Sequence, residues 1–433
     1  MITDEEFSKR RRLLISQMGE DSVAIVVAAK MCMRSKDTEY RYRQDSNFYY
    51  LTGFSEPESI ALFIPGRKEG EYVLFCRPKD RQQEIWHGVR TGLQGACQQY
   101  GADQAFAINE FDKQLEKFLH NKKRIYFPFK SDTGHLLNML QKMSQTARRF
   151  DHFPDEIINI ESIVDEMRLY KSEAEIDLMR KAAQISVAGH QRAMKMCRQG
   201  QYEYQIEAEL LCEFHRQGCA APAYSSIVAG GDNACILHYT QNHAQLKQND
   251  LLLIDAGGEY QCYTADITRT FPVSGRFSAE QRAIYEIVLR AQSTAIEKVR
   301  PGTPWPDLEE TVRWIITEGL VELGLLKGSI VQLIEEKAYF QFYMHSSGHW
   351  LGMDVHDVGR YQHQDQWRLL QPGMVFTVEP GIYIAPDCDQ VEERWRGIGI
   401  RIEDDILVTK DGYEILSAGL IKTVSDIEAF MNE

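Results

Sequence analysis

The sequence predicts a mixed α/β (α+β) protein of two domains, the second built from two similar helix-plus-strand halves. Three observations carry this. A chain of 433 residues is longer than one ordinary hydrophobic core supports. Short apolar runs separated by turn-rich or charged segments dominate its first part. Two long, similarly capped amphipathic helices recur about a hundred residues apart, each followed by a second helix and then strands.

In chain order, "SVAIVVAA", "IALFIP" and "EYVLFC" within 22–77 read as strands, with helices near 5–18 and 111–120. A mixed α/β domain is expected over 1–169. A long helix opens the second domain, 170–433, at "KSEAEIDLMRKAAQISVAGHQRAMKMCRQG". Ser172 and Glu175 form a capping box. Ile176, Met179, Ala183, Val187, His190, Met194 and Cys197 make one apolar stripe, and Gly200 is the expected stop. Ser278, Gln281 and Gly302 repeat that arrangement in "FSAEQRAIYEIVLRAQSTAIEKVRPG". The following helices are "EYQIEAELLCEFHRQG" and "PDLEETVRWIITEG". Two pseudo-symmetric halves would leave a cleft where their sheets meet.

Composition excludes several classes. Hydrophobic residues make up 43% and charged residues 26%, as in ordinary globular proteins. A net charge of −14 argues against nucleic acid or an anionic membrane as the main partner. The nine cysteines are scattered without a C-x-x-C, which suits reduced thiols in the cytoplasm. "MITDEEFSKRRRLLISQ" has acids before its bases and no apolar core, so no secretory signal is expected there. Its "SKRRR" reads as the solvated face of a helix. No apolar run approaches the ~18 residues of a membrane span.

"LLLIDAGGEYQCYTADITRTF" places two carboxylates on apolar strands. A hairpin turn centred between Tyr260 and Gln261 would set Asp255 opposite Asp266 on one sheet face. Taken alone, the pair reads equally well as a strand end and a local cap beside glycines. The second half shifts that balance. "GMVFTVEPGIYI" puts Glu379 on a β-branched strand, on the face of Val375 and Thr377. "GIGIRIEDDILVT" alternates, with Ile398, Ile400 and Ile402 on one face and Arg401 and Glu403 on the other. Four strand acids converging on a cleft need cations, and two divalent metal ions would balance them. "YMHSSGHWLGMDVHDVG" adds His345, His349 and His356, one of which would supply a fifth ligand. Such an oxygen-rich set favours Mn²⁺, with Co²⁺, Zn²⁺ or Fe²⁺ as alternatives. Two ions ~3.5–4 Å apart can share a hydroxide and aim it at a carbonyl. Metal-assisted hydrolysis is the chemistry implied. A G-x-S-x-G elbow and an H-E-x-x-H helix are both missing, which argues against a serine hydrolase and a zincin.

These stretches, with "ILHYTQN", resemble the pita-bread metallopeptidases, and within them the aminopeptidase P family. "DTEYRYRQDSNFYYLTGFSEPES" and "RQQEIWHGVR" resemble that family's N-terminal domain, so the likeness covers nearly the whole chain. It implies a dinuclear site, usually manganese, held by Asp255, Asp266, His349, Glu379 and Glu403, with Asp266 and Glu403 bridging. Glu379 would also carry a proton to the leaving nitrogen. His238 and His356 would hydrogen-bond the scissile carbonyl, and His345 would line a proline pocket. Tyr383 and Arg401 would orient the ligands, Arg401 by pairing with a ligand carboxylate. Asp37 and Trp86 would reach the substrate end of the site, across a subunit boundary. The implied reaction removes the first residue from peptides whose second residue is proline. A cytoplasmic homo-tetramer or dimer is implied by the same likeness. One departure stands out: "SSG" follows His345 where a glycine is expected directly. A prolidase, limited to Xaa-Pro dipeptides, is the nearest alternative. A non-catalytic binding module would be expected to lack the ligands.

Overall fold

The computed structural model describes residues 2–130, 133–146 and 152–433, and divides into two compact units, Ile2–Met167 and Arg168–Glu433. In the first, the three apolar runs become neighbouring strands Ser22–Val27, Ile60–Phe63 and Tyr72–Cys76, paired antiparallel in that order. Gln104–Ala107 adds in parallel to the outer edge, and Arg124–Phe127 and Glu156–Asn159 add in parallel on the other side. The result is a six-stranded mixed sheet. Val23, Ile25, Leu62, Val73 and Phe75 bury one face with Leu115 and Leu119 of helix Phe111–Leu119.

The basic run near the N-terminus corrects its sequence reading. Helix Asp4–Ser16 is capped by Thr3, and Lys9 and Arg12 are exposed. Arg10 and Arg11, however, are buried and donate to the carbonyls of Tyr50 and Leu51. Their guanidinium groups lie 4.1 and 4.6 Å from the ring centroids of Tyr50 and Tyr72. Planar guanidinium groups stack on aromatic rings while their N–H groups stay bonded, so half of this run belongs to the packing.

The second unit carries both expected capping boxes, Ser172 with Glu175 and Ser278 with Gln281. They open helices Glu173–Met196 and Ala279–Glu297, which pack against Glu203–Arg216 and Trp305–Glu322 respectively. The helices stop short of Gly200 and Gly302. Those glycines take positive φ, 86° and 90°, in the following loops. There each half makes the same contact. Gly200 N–H donates to Leu246 O and Gly302 N–H to Leu370 O, both at 2.8 Å. Leu246 N–H returns to Gln201 O and Leu370 N–H to Thr303 O, again at 2.8 Å. The internal duplication is therefore visible in backbone pairing as well as in sequence pattern. Leu251–Asp255 lies between Ile227–Gly230 and Thr268–Pro272, while Asp404–Val408 lies between Val375–Val378 and Tyr413–Ile415. One core, including Leu252, Phe271, Phe376, Ile400 and Ile406, spans both halves.

His190, predicted on the apolar stripe, is fully buried, and its Nε2 bonds Ala256 O at 2.9 Å. Burial pushes its pKa down to about 4. The folded state therefore holds the neutral ring, and its stabilising contribution is complete above the unfolded value near 6.5. It is lost as pH falls through about 4, a loss of roughly 3 kcal/mol. Metal-free parent protein should show a steeper drop in urea midpoint between pH 7 and pH 4 than His190→Gln. Parallel curves would reject the linkage. No helix among the described residues is long and apolar enough to cross a membrane, and the nine cysteines are free thiols.

Candidate metal centre

The hairpin that carries the two aspartates turns one residue later than its sequence suggests. Gln261 and Cys262 both take positive φ, 51° and 65°, so the pairs are Tyr260 with Tyr263 and Asp255 with Thr268. Asp255 is therefore not opposite Asp266. The pairing slips by two residues, and a slip of two keeps both side chains on one face. Gly257 makes the close approach possible, since a Cβ there would lie 1.7 Å from Ala265 O. The hydroxyl of Tyr224 lies 2.5 Å from Oδ1 of Asp255 and 2.5 Å from Oδ1 of Asp266, holding the two carboxylates side by side.

The glutamates sit in breaks, not inside strands. Glu379 follows Val375–Val378, and Pro380, which lacks an N–H, ends the ladder before Gly381–Ile384. Glu403 falls between Ile398–Arg401 and Asp404–Val408, which belong to different sheets. The alternation read over 398–408 thus covers two strands. At each break the chain changes partner and turns a carboxylate inward.

These groups meet at the wall of a cavity of about 1020 Å³ lined by Tyr224, His238, Asp255, Asp266, His345, His349, His356, Glu379, Arg401 and Glu403, among others. Asp266, His349 and Glu403 can present ligand atoms within 4.8 Å of one another. His349 Nε2 is 3.3 Å from Asp266 Oδ2 and 3.5 Å from Glu379 Oε1. Its Nδ1 lies 3.0 Å from Trp350 O, which fixes the tautomer with Nε2 toward the acids. Arg401 pairs with the Asp255 carboxylate at 2.6 Å, across the site and not with its near neighbour Glu403. Arg401 Nη1 also donates to Tyr383 OH, which contacts His345 Nε2, both at 2.9 Å.

Electrostatics fits this cluster to cations. Burial, then repulsion from Asp266, Glu379 and Asp255, pushes Glu403 well above the usual carboxylate range. Glu379 is pushed up to about 7 by burial, with Asp266 adding to it against the pull of His349. Asp255 is raised by burial, opposed by Arg401. Burial also acts upward on Asp266, but its hydrogen bond to His349 and the imidazolium charge outweigh it. His349 moves up to about 9: burial would lower it, and the bond to Asp266 and the charge of Glu379 prevail. An imidazolium among carboxylates here provides the positive charge that divalent ions would provide. Carboxylates plus one imidazole suit hard or borderline ions, so the residues present fit the metal pair.

Several further groups complete the site, some without any mark in the local sequence. Tyr224 precedes its strand in "PAYSSI", with no pattern to single it out. Thr268 and Thr377 leave a legible trace, as hydroxyls two residues from Asp266 and Glu379 on strands that are buried throughout. Thr268 Oγ donates to Glu403 Oε2 at 2.7 Å, and Thr377 Oγ to Glu379 Oε1 at 3.3 Å. The carboxylate of buried Asp405 accepts the Asp266 N–H at 3.2 and 3.3 Å. The "SSG" departure is accommodated locally. Ser347 Oγ is 2.7 Å from Tyr343 OH, and the residue that cannot carry a Cβ is Gly348, where one would lie 1.9 Å from Thr377 O. Asp37 and Trp86 lie in the first unit, Trp86 81% exposed.

Four carboxylates and an imidazole line one cavity within two similar halves, a donor set that suits a metal site, and comparison with known proteins puts the chain among the metallopeptidases. The model for metallopeptidase family M24 matches residues 177–410, and that for the aminopeptidase P N-terminal domain matches 7–126. The chain belongs to metallopeptidase family M24 and has its pita-bread fold. It is 45% identical to an Xaa-Pro aminopeptidase of Escherichia coli, across 99% of this chain and 98% of that protein. It is 47% identical to an Xaa-Pro aminopeptidase of Haemophilus influenzae, across 99% and 97%. Among solved structures, the aminopeptidase PepP of Pseudomonas aeruginosa matches with a TM-score of 0.98 at 50% identity, covering 100% of this chain and 98% of that one. A zinc-substituted E. coli aminopeptidase P in complex with product matches at 0.96 and 45% identity, covering 100% and 98%.

Proposed function

We propose that this chain is an Xaa-Pro aminopeptidase with two divalent ions, manganese by preference, held by Asp255, Asp266, His349, Glu379 and Glu403. The observation that carries the reading is the convergence of these five donors with three further histidines in one cavity. Full-length similarity to proteins named for this activity supports it. Bound there, the ions supply Lewis acidity and an activated water at neutral pH.

The protein groups divide the remaining work. Glu379, on the cavity wall with Oε1 3.5 Å from His349 Nε2, is placed to take a proton from the attacking oxygen and give it to the leaving nitrogen. His356, lowered by burial and then by His349, stays neutral and donates to the carbonyl oxygen together with His238. Burial, then Arg401, takes His345 down to about 4. An uncharged ring beside Tyr383 suits the apolar face of proline. The scissile nitrogen of an Xaa-Pro bond is tertiary and carries no N–H, so a dedicated pocket is needed to position it. Asp37 and Trp86 complete the substrate end from a neighbouring subunit of a cytoplasmic homo-oligomer.

Mass spectrometry of products from an Xaa-Pro-Xaa tripeptide and an Xaa-Pro dipeptide tests this, with Mn²⁺-reconstituted and chelated protein. Metal-dependent release of the first residue from the tripeptide, with little action on the dipeptide, is expected. Dipeptide cleavage alone would make the enzyme a prolidase, and no turnover of either would overturn the reading. His356→Ala should keep its metal and lose kcat by ~10². Loss of metal in that variant would reassign His356 as a ligand.

A further inference from the structure

We propose that Glu203 is a positioning residue that sets His238 in the cavity. The inference rests on the reading of His238 as a carbonyl donor. Glu203 begins helix Glu203–Arg216, and its side chain is fully buried. A buried carboxylate needs strong partners, and this one has four donors. Oε1 accepts from Gly230 N–H at 2.7 Å and Asn233 Nδ2 at 3.0 Å. Oε2 accepts from Tyr239 OH at 2.7 Å and Ala244 N–H at 2.8 Å. The four donors span 230–244, from the end of strand Ile227–Gly230 through the 3-10 turn Gly231–Cys235 to Ala244, and His238 is near the middle of that stretch.

The geometry links acid to histidine through one neighbour. Tyr239 is buried against Ile227, Ala229, Leu253 and Tyr383, with its hydroxyl on Glu203. His238, one residue earlier, lines the cavity. Fixing the Tyr239 ring and both ends of the segment therefore fixes where His238 stands. Asn242 reinforces the same segment, accepting from Val228 N–H at 3.0 Å and donating to Ser226 O at 2.9 Å. No regular ladder holds 231–244, so these side chains take the place that strand pairing has elsewhere. Glu203 also favours the N-terminal end of its helix electrostatically. That local benefit alone would not explain four donors drawn from a distant loop.

Glu203→Gln tests the assignment. The amide can accept on only one side, so two of the four bonds are lost, at little change in volume. In Mn²⁺-loaded protein kcat should fall about tenfold through misplacement of His238, with KM and bound metal at parent values. His238→Ala alone should lower kcat by about 10², and adding Glu203→Gln to it should cost nothing more. Losses that multiply in the double variant would overturn the proposal. Tyr239→Phe, which removes one bond, carries the same cycle if Glu203→Gln does not fold. Amide hydrogen exchange over 230–244 should also quicken in Glu203→Gln. Unchanged exchange there overturns the proposal whether or not the parent cleaves Xaa-Pro peptides, and so separates its failure from failure of the functional reading.

Discussion

Asp266→Ala protein, reconstituted with Mn²⁺, should bind less metal than the parent and cleave an Xaa-Pro-Xaa tripeptide more than about 10³-fold more slowly. The size of the effect follows from what this carboxylate touches. Oδ2 is 3.3 Å from His349 Nε2, Oδ1 meets Tyr224, and Asp266 belongs to the triad with His349 and Glu403 whose ligand atoms approach within 4.8 Å. Removing it takes away the anion that stands between His349 and Tyr224 and orders the remaining donors. It also releases His349, whose elevated pKa depends on that bond. In the metal-free variant the His349 titration, followed by proton NMR, should lie below that of the metal-free parent, because the bond to Asp266 that raises it is gone. Metal content by mass spectrometry and tripeptide turnover decide the assignment. Full activity with parental metal stoichiometry would remove Asp266 from the ligand set.

How far the site was legible depends on whether its residues announce themselves in local pattern. Asp255, Asp266, Glu379 and Glu403 could be found because an acid on an apolar, β-branched stretch violates the pairing of burial with apolarity. Their exact setting could not. Placement of the hairpin turn depended on which residues accept positive φ, and Gln261 and Cys262 are not the residues that composition favours there. Glu379 and Glu403 read as mid-strand residues because alternation continues through a break. Only Pro380 marked one of the two breaks. Arg10 and Arg11 illustrate the converse error, since a short basic run gives no sign that aromatic rings will cover it. Tyr224 and Glu203 act through partners far away in sequence, which one chain read in order does not reveal. The duplication was visible in capping boxes and helix order, and the structure added the matched loop pairing after Gly200 and Gly302.

Arg269→Ala should be the most destabilising single change in the second unit, costing about 3–5 kcal/mol, or roughly 10 °C in midpoint. All five guanidinium donors are used inside the protein. Nε donates to Ile421 O, Nη1 to Thr268 O and Glu403 O, and Nη2 to Leu420 O and Asp404 Oδ1, at 2.7 to 3.1 Å. Arg269 and Asp404 are both essentially inaccessible to solvent. Asp404 also accepts from Gln292, Ser417 and Lys422. Burial alone would raise its pKa, but Arg269 and then Lys422 hold it below the ordinary carboxylate range. Truncating the arginine leaves a buried anion short of charge and takes one donor from each of four carbonyls, of which, among the described residues, only Thr268 O keeps another, the Glu403 N–H at 3.1 Å; this is the costly way to break such a pair. Arg269→Lys keeps the charge but offers three donors for five bonds, so it should fall between parent and alanine. Arg282→Ala, which breaks an exposed pair with Glu286 at 2.7 Å, should leave the midpoint unmoved. Because Nη1 grips the carbonyls of Thr268 and Glu403, Arg269→Lys should also weaken metal binding by ~10–100-fold before the fold is lost. A lowered midpoint with unchanged metal affinity would confine Arg269 to packing, and an unchanged midpoint would mean that the network contributes nothing net.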